Sequence, residues 1–144
     1  MTGERRDPYR NFRFRVEVEG IQQAGFSEVS GFDASLAVVE YREGNETITA
    51  RKLPGLAKYG NISLKWGTTD SMDMYNWMQE SIEGKVARKT VTIIAIDEEG
   101  GDVATWQVIE AWPSKYTAPN FNGTGSEVAI EFLELSHEGM TRTA

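Results

Sequence analysis

Between Arg42 and Asn61 the chain shows no pattern of a core strand, although strand patterns crowd both flanks. This interval limits the possible folds more than any other stretch. Loops of such length inside a compact domain are uncommon, and are usually functional or disordered. Leu53, Leu56 and Tyr59 argue against disorder, because a solvated loop has little use for large apolar groups. Pro54-Gly55 reads as a turn, since proline presets φ and glycine accepts positive φ. The expectation is an extended arm over 42–59, ordered by docking on another surface. It leads into a short strand in which Ile62, Leu64 and Trp66 face one way and Ser63 and Lys65 the other.

The flanks are read from periodicity. Phe12, Phe14, Val16 and Val18 alternate without a fault against Arg13, Arg15, Glu17 and Glu19, so a half-buried strand is expected there. A second strand over Ala24 to Phe32 places Phe26 and Val29 on opposite faces. A third, Leu36 to Tyr41, opposes Leu36 and Val38 to Val39 and Tyr41. Apolar groups on both faces mean that neither face is simply open to water. Further strands are expected over Thr90 to Ile96, Val103 to Trp112 and Ser126 to Ser136, with Asp97 to Asp102 as a hairpin turn and Pro113 to Gly125 as a loop. In the last strand Val128, Ile130 and Phe132 oppose Glu127, Ala129 and Glu131, and Leu133 and Leu135 continue the acidic face. One helix is expected over 71–83, capped from Gly67 to Ser71 and stopped at Gly84, with Met74, Trp77, Met78 and Ile82 as its apolar stripe.

A mainly β, antiparallel two-sheet sandwich or barrel-like domain with one α-helix and a long extended loop follows from these elements. At 144 residues one domain, 1–144, is sufficient, with residues 1–11 a charged lead-in. Unpaired strand edges recruit other chains. Closing a sheet across identical subunits would remove the edges and account for strands that are apolar on both faces.

Composition narrows the function. A net charge of −7 argues against a general affinity for nucleic acid or anionic membrane, which needs clustered Lys and Arg. Without cysteine there is no disulfide, thiolate metal site or cysteine nucleophile. Met1 to Phe12 has adjacent arginines but no apolar run, which reads as neither a secretion signal nor a membrane anchor. Synthesis and assembly are expected in the cytoplasm.

Catalytic, cofactor and metal sites are not expected. His137 is the single histidine, and reads as a strand-end residue. Asp97, Glu98, Glu99 and Asp102 carry carboxylates of the kind calcium takes, but a glycine-rich turn explains them and the spacing is not that of an EF-hand. Asn122-Gly123-Thr124-Gly125 lacks the lysine of a phosphate loop. Asn45 and Asn61 each begin a glycosylation pattern that means little without a secretory signal. Trp77, Trp106 and Trp112 suit a carbohydrate platform, and suit a core better.

The runs FRFRVEVEG, FSEVSGF, VVEYREG, KLPGLAKYGNISLKWG, MYNWMQ, TWQVIEAWPSKYTAPNF and SEVAIEFLELSHEGM, in this order from Tyr9 to Met140, resemble the inner-tube protein of contractile tails. That family serves T4-like phages, pyocin-like particles and extracellular contractile injection systems, and is similar in fold to the type VI secretion tube protein. The resemblance implies a homohexameric ring with a shared β-barrel, stacked into a tube that conveys DNA or effector cargo. Its implied partners are further copies of itself, sheath protein, and baseplate and tube-terminator proteins. It further implies that the arm reaches a neighbouring subunit or ring through Arg51, Lys52, Leu53, Pro54, Leu56, Lys58 and Tyr59. The helix is then expected outside the barrel, with Asp73 and Glu80 toward the sheath. Trp66 stands where a basic residue is expected before the glycine, and reads instead as packing on the apolar side of its strand. The alternatives are a baseplate tube-initiator of the same fold and a monomeric carbohydrate-binding sandwich.

Overall fold

The computed structural model describes residues 13–21, 25–42, 44, 50–121 and 129–144. The lead-in over 1–11, the end of the arm at 43 and 45–49, and Asn122 to Val128 lie outside the described residues. In chain order the elements are β1 (Arg13–Val18), β2 (Phe26–Ser30), β3 (Ala34–Tyr41), β4 (Arg51–Tyr59), β5 (Ile62–Gly67), α1 (Asp73–Ile82), β6 (Lys89–Ile96), β7 (Asp102–Thr117), β8 (Ile130–Ser136) and β9 (Gly139–Arg142). Every strand pairing is antiparallel. Hydrogen bonding runs β1-β6-β7-β8-β5-β2, with β9 added along β7 and β3-β4 set apart as a two-stranded ribbon.

β7 joins the two halves of this network. Its first part pairs with β6 and β9, and its second part, Trp112 to Thr117, pairs with β8. Strands that change sheets do so at bends or bulges. Here the change falls at Glu110, whose φ of 54° is rare for a residue with a side chain and costs about 1–3 kcal/mol. The loop expected after Pro113 is therefore strand as far as Thr117. Pro113 has no N–H to donate, and the register slips between it and Lys115, so the ladder accommodates it at an irregularity.

The core lies between the two halves. Val16, Val18, Val91, Ile93, Val108 and Ala111 meet Ile62, Leu64, Trp66, Leu133 and Leu135, and Met74 and Trp77 of α1 complete the cluster. The alternation of β1 and β5 is as the sequence predicts. β2 differs. A bulge between Phe26 and Glu28 rephases β2, so Phe26 faces Trp66 and Val29 faces Leu64, and both pack against the core rather than on opposite sides. In β8 the inward face is Glu131, Leu133 and Leu135, while Ile130 and Phe132 turn outward. The helix starts two residues later than predicted, with Met72 at its N-cap and no side-chain capping bond. Gly84 closes it with φ +86°, its N–H donating to the Ser81 carbonyl. Ile82 is exposed and does not join the buried stripe. β9 is an element that the sequence reading lacks.

β4 corrects the arm. Pro54-Gly55 is not a turn: it lies inside a strand, where Val38 faces Pro54, Leu36 faces Ala57, and two residues of β4 oppose Ala37. Moreover, β2–β3 and β4–β5 are one long hairpin. Ser30 faces Ser63 and, across a short break, Ala34 faces Tyr59 in unchanged register. Its root half is the edge of the β5–β8 sheet, and its distal half pairs with no third strand among the described residues.

Candidate assembly surface

Alternation along the distal ribbon sorts its residues onto two faces. One carries Leu36, Val38, Pro54, Ala57 and Tyr59 and ends in the Glu40–Lys52 pair. The other carries Val39, Leu53 and Lys58 and ends in the Tyr41–Arg51 pair. Every residue of β3 is exposed, Val38 at 65%, and Leu56 in β4 reaches 82%. Six large apolar side chains thus stand in water around two strands: Leu36, Val38, Val39, Tyr41, Leu53 and Leu56. A two-stranded ribbon alone is marginally stable, and exposed contiguous apolar surface marks an interaction site. Against a single carboxylate, Glu40, the described ribbon strands carry Arg51, Lys52 and Lys58.

The ribbon is fixed at its root. The Gly60 N–H donates to the Asp33 carbonyl at 3.2 Å and to its Oδ1 at 2.9 Å. A side chain on Gly31, at φ +87°, would collide with the Asn61 carbonyl, and one on Gly60 with the Asp33 carboxylate. His137 Nε2 lies 2.8 Å from the Gly60 carbonyl, and its ring packs on Tyr59 at 5.7 Å. The lone histidine is therefore a clamp at the ribbon's base. Phe32 rests on Trp106 at 5.8 Å, which ties the same point to the other half of the sandwich.

One polar network inside the core escaped the sequence reading. Glu131 is 9% exposed, yet it accepts hydrogen bonds from Trp66 Nε1 at 2.9 Å and from the Tyr116 hydroxyl at 2.5 Å. A buried carboxylate is tolerated where donors meet its oxygens. The available signal was its phase, since Glu131 shares a face with Leu133 and Leu135. Burial, then the hydrogen bond to Glu131 and that carboxylate's charge, then Tyr75, push the Tyr116 phenol up to about 12 from 10.0. A raised phenol pKa stabilises the fold fully below pH 10, and that contribution is lost as pH rises from about 10 to about 12. Absorbance titration should therefore show a phenolate step near pH 12 that Tyr116→Phe removes; an unchanged curve in that variant would contradict the assignment.

The other singled-out residues fall as follows. Arg51, Lys52, Leu53, Pro54, Leu56 and Lys58 are all exposed on β4, and Tyr59 is half-buried at the root. Asp73 and Glu80 are exposed on α1, where they line a cleft of about 230 Å³ with Gly20, Ile21, Asn76, Trp77 and Lys89. Asp97 Oδ1 accepts the N–H groups of Glu99 and Gly101, which makes its carboxylate part of its own turn. Trp77 is buried with Nε1 donating to the Ala87 carbonyl, Trp106 is held between Phe32 and Arg142, and Trp112 is half-buried on β7. The sequence reading named only β4 for the arm, and the structure adds β3 as its equal partner.

No helix among the described residues is long and apolar enough to cross a membrane. No curated protein matches the chain. Among solved structures, the chain is similar to one from the anti-feeding prophage cap (AFP tube terminating cap), with 28% identity, a TM-score of 0.87, and coverage of 99% of this chain and 95% of that one. It is also similar to one from the PVC sheath-tube complex of an extracellular contractile injection system in its extended state, with 29% identity, a TM-score of 0.85, and coverage of 95% and 92%. Hcp1 from Flavobacterium johnsoniae shares the fold, at 17% identity and a TM-score of 0.62 over 90% of this chain and 93% of that one. The profile of the T4-like virus tail tube protein gp19 matches residues 10–141. An antiparallel β domain whose long hairpin stands bare on both faces, matched over nearly its whole length by that profile, belongs to the T4-like tail tube protein family.

Proposed function

We propose that this chain is the repeating, non-catalytic subunit of the rigid inner tube of a contractile injection apparatus. Homohexameric rings with a shared β-barrel stack into a hollow conduit for DNA or effector cargo, inside a sheath and between a baseplate and a terminator. The observation that carries this reading is the β3–β4 ribbon, whose apolar side chains Leu36, Val38, Val39, Leu53 and Leu56 are exposed on both faces. Likeness to a chain of a sheath-tube complex supports it. Asp73 and Glu80, exposed on α1, face the sheath, and the subunits assemble in the cytoplasm before the particle leaves the cell. A one-ring role at the end of a tube is the second reading, favoured by the likeness to a chain from a tube terminating cap. Growth of the pure protein into long tubes decides against it.

The basic ribbon docks on acidic surface of another copy, since the whole chain carries −7. Arg51→Glu combined with Lys52→Glu is expected to raise the concentration needed for tube growth at least tenfold, equivalent to about 1.4 kcal/mol per added subunit. Tubes of unchanged length and salt resistance would contradict it.

A further inference from the structure

The strand register gives the subunit two ends. β5 runs from Ile62 at the ribbon's root to Gly67, and its partner β8 runs back from Ile130 opposite Gly67 to Leu135 opposite Ile62. β7 follows β5, with Trp112 near the root and Thr117 away from it. The ribbon thus projects from one end of the β5–β8–β7 sheet. At the other end stand Ile130, the connection from Gly67 to α1 with Asp70 and Met72, and Phe121, four residues past Thr117.

That far end is apolar and acidic where the ribbon is apolar and basic. Phe121 is 88% exposed, more than any other large apolar side chain among the described residues, and Met72 and Ile130 are exposed as well. Asp70 is exposed and enters no ion pair among the described residues. Two ribbons meeting face to face would bring lysine against lysine. Ribbon against far end brings Lys52 and Lys58 toward Asp70, and apolar groups toward apolar groups. A contact between different patches of identical chains is head-to-tail and repeats without closing along an axis.

We infer that the surface formed by Asp70, Met72, Phe121 and Ile130 is the acceptor for the β3–β4 ribbon of the next copy, with Phe121 as its apolar anchor. The inference rests on the tube reading and goes further by naming the receiving surface. It places the strands of the β5–β8–β7 sheet along the direction of growth, at least in sense. Aromatic anchors dominate such contacts.

Two measurements test it. A benzophenone side chain placed at position 121, doped into excess wild-type chain and irradiated in assembled tubes, should cross-link to peptides containing residues 34–41 or 51–59. Cross-links confined to α1, to β1 or to position 121 of another copy overturn the assignment, as does their absence in tubes that form normally. Phe121→Ser should raise the concentration for tube growth at least tenfold and leave subunit melting unchanged; unaltered growth overturns it too. If wild-type chain yields no tubes before irradiation, the tube reading itself has failed, and that outcome is seen separately.

Discussion

Trp66→Ala is expected to lower the unfolding free energy of the subunit by about 3–5 kcal/mol, the range of large aromatic deletions in packed cores. Trp66 is 1% exposed at the centre of the cluster, with Phe26 edge-on at 6.0 Å. Its loss leaves a cavity between the two halves of the sandwich. It also removes one of the two donors to Glu131, so a buried carboxylate loses part of the compensation for its desolvation. Domains of this size are stable by about 5–15 kcal/mol, so the variant sits near the threshold of folding. Urea denaturation followed by fluorescence measures the change. A loss below about 1 kcal/mol would mean that the Trp66–Glu131 pair does not hold the core.

The complementary result concerns the ribbon. Val38→Asp together with Leu53→Asp places one carboxylate on each of its faces, since Val38 belongs to the Leu36 face and Leu53 to the Val39 face. Both positions are already open to water in the subunit, so its stability should change by no more than about 1 kcal/mol. Assembly should fail. Burying such side chains contributes about 1.5–3 kcal/mol each, and an unpaired carboxylate in an apolar contact costs more. A rise of at least about 100-fold in the concentration for tube growth follows, equivalent to about 2.7 kcal/mol. Melting and growth measured on one preparation separate this variant from Trp66→Ala, which should fail in both.

Much of this architecture could be read from the residues, and the misreadings have local causes. β1 and β5 alternate cleanly because one face meets the core and the other meets water, so period and burial agree. The β2 reading failed at a bulge, which shifts phase by one residue without a marker in the sequence. Glu131, Leu133 and Leu135 were placed on one face of β8, but its burial stayed open because Glu131 passes for a surface acid until Trp66 and Tyr116 are seen to satisfy it. The arm was taken for a loop because Pro54 and Gly55 are turn residues, and only the pairing partner reveals them inside a strand, next to a bulge at Gly55 and Leu56. Its apolar residues Leu53 and Leu56 do stand exposed. No rule of local structure could add that β3 pairs with it, since strand pairing is a property of two distant segments.

The most direct test images the purified wild-type chain and the Val38→Asp/Leu53→Asp pair side by side in negative stain, over a range of concentration and salt. Wild-type chain should yield rings and tubes of one uniform diameter, and the paired variant should remain unstacked while folded. A wild-type protein that stays a protease-resistant single subunit under every condition, with its ribbon protected from cleavage against its own body, would contradict the account.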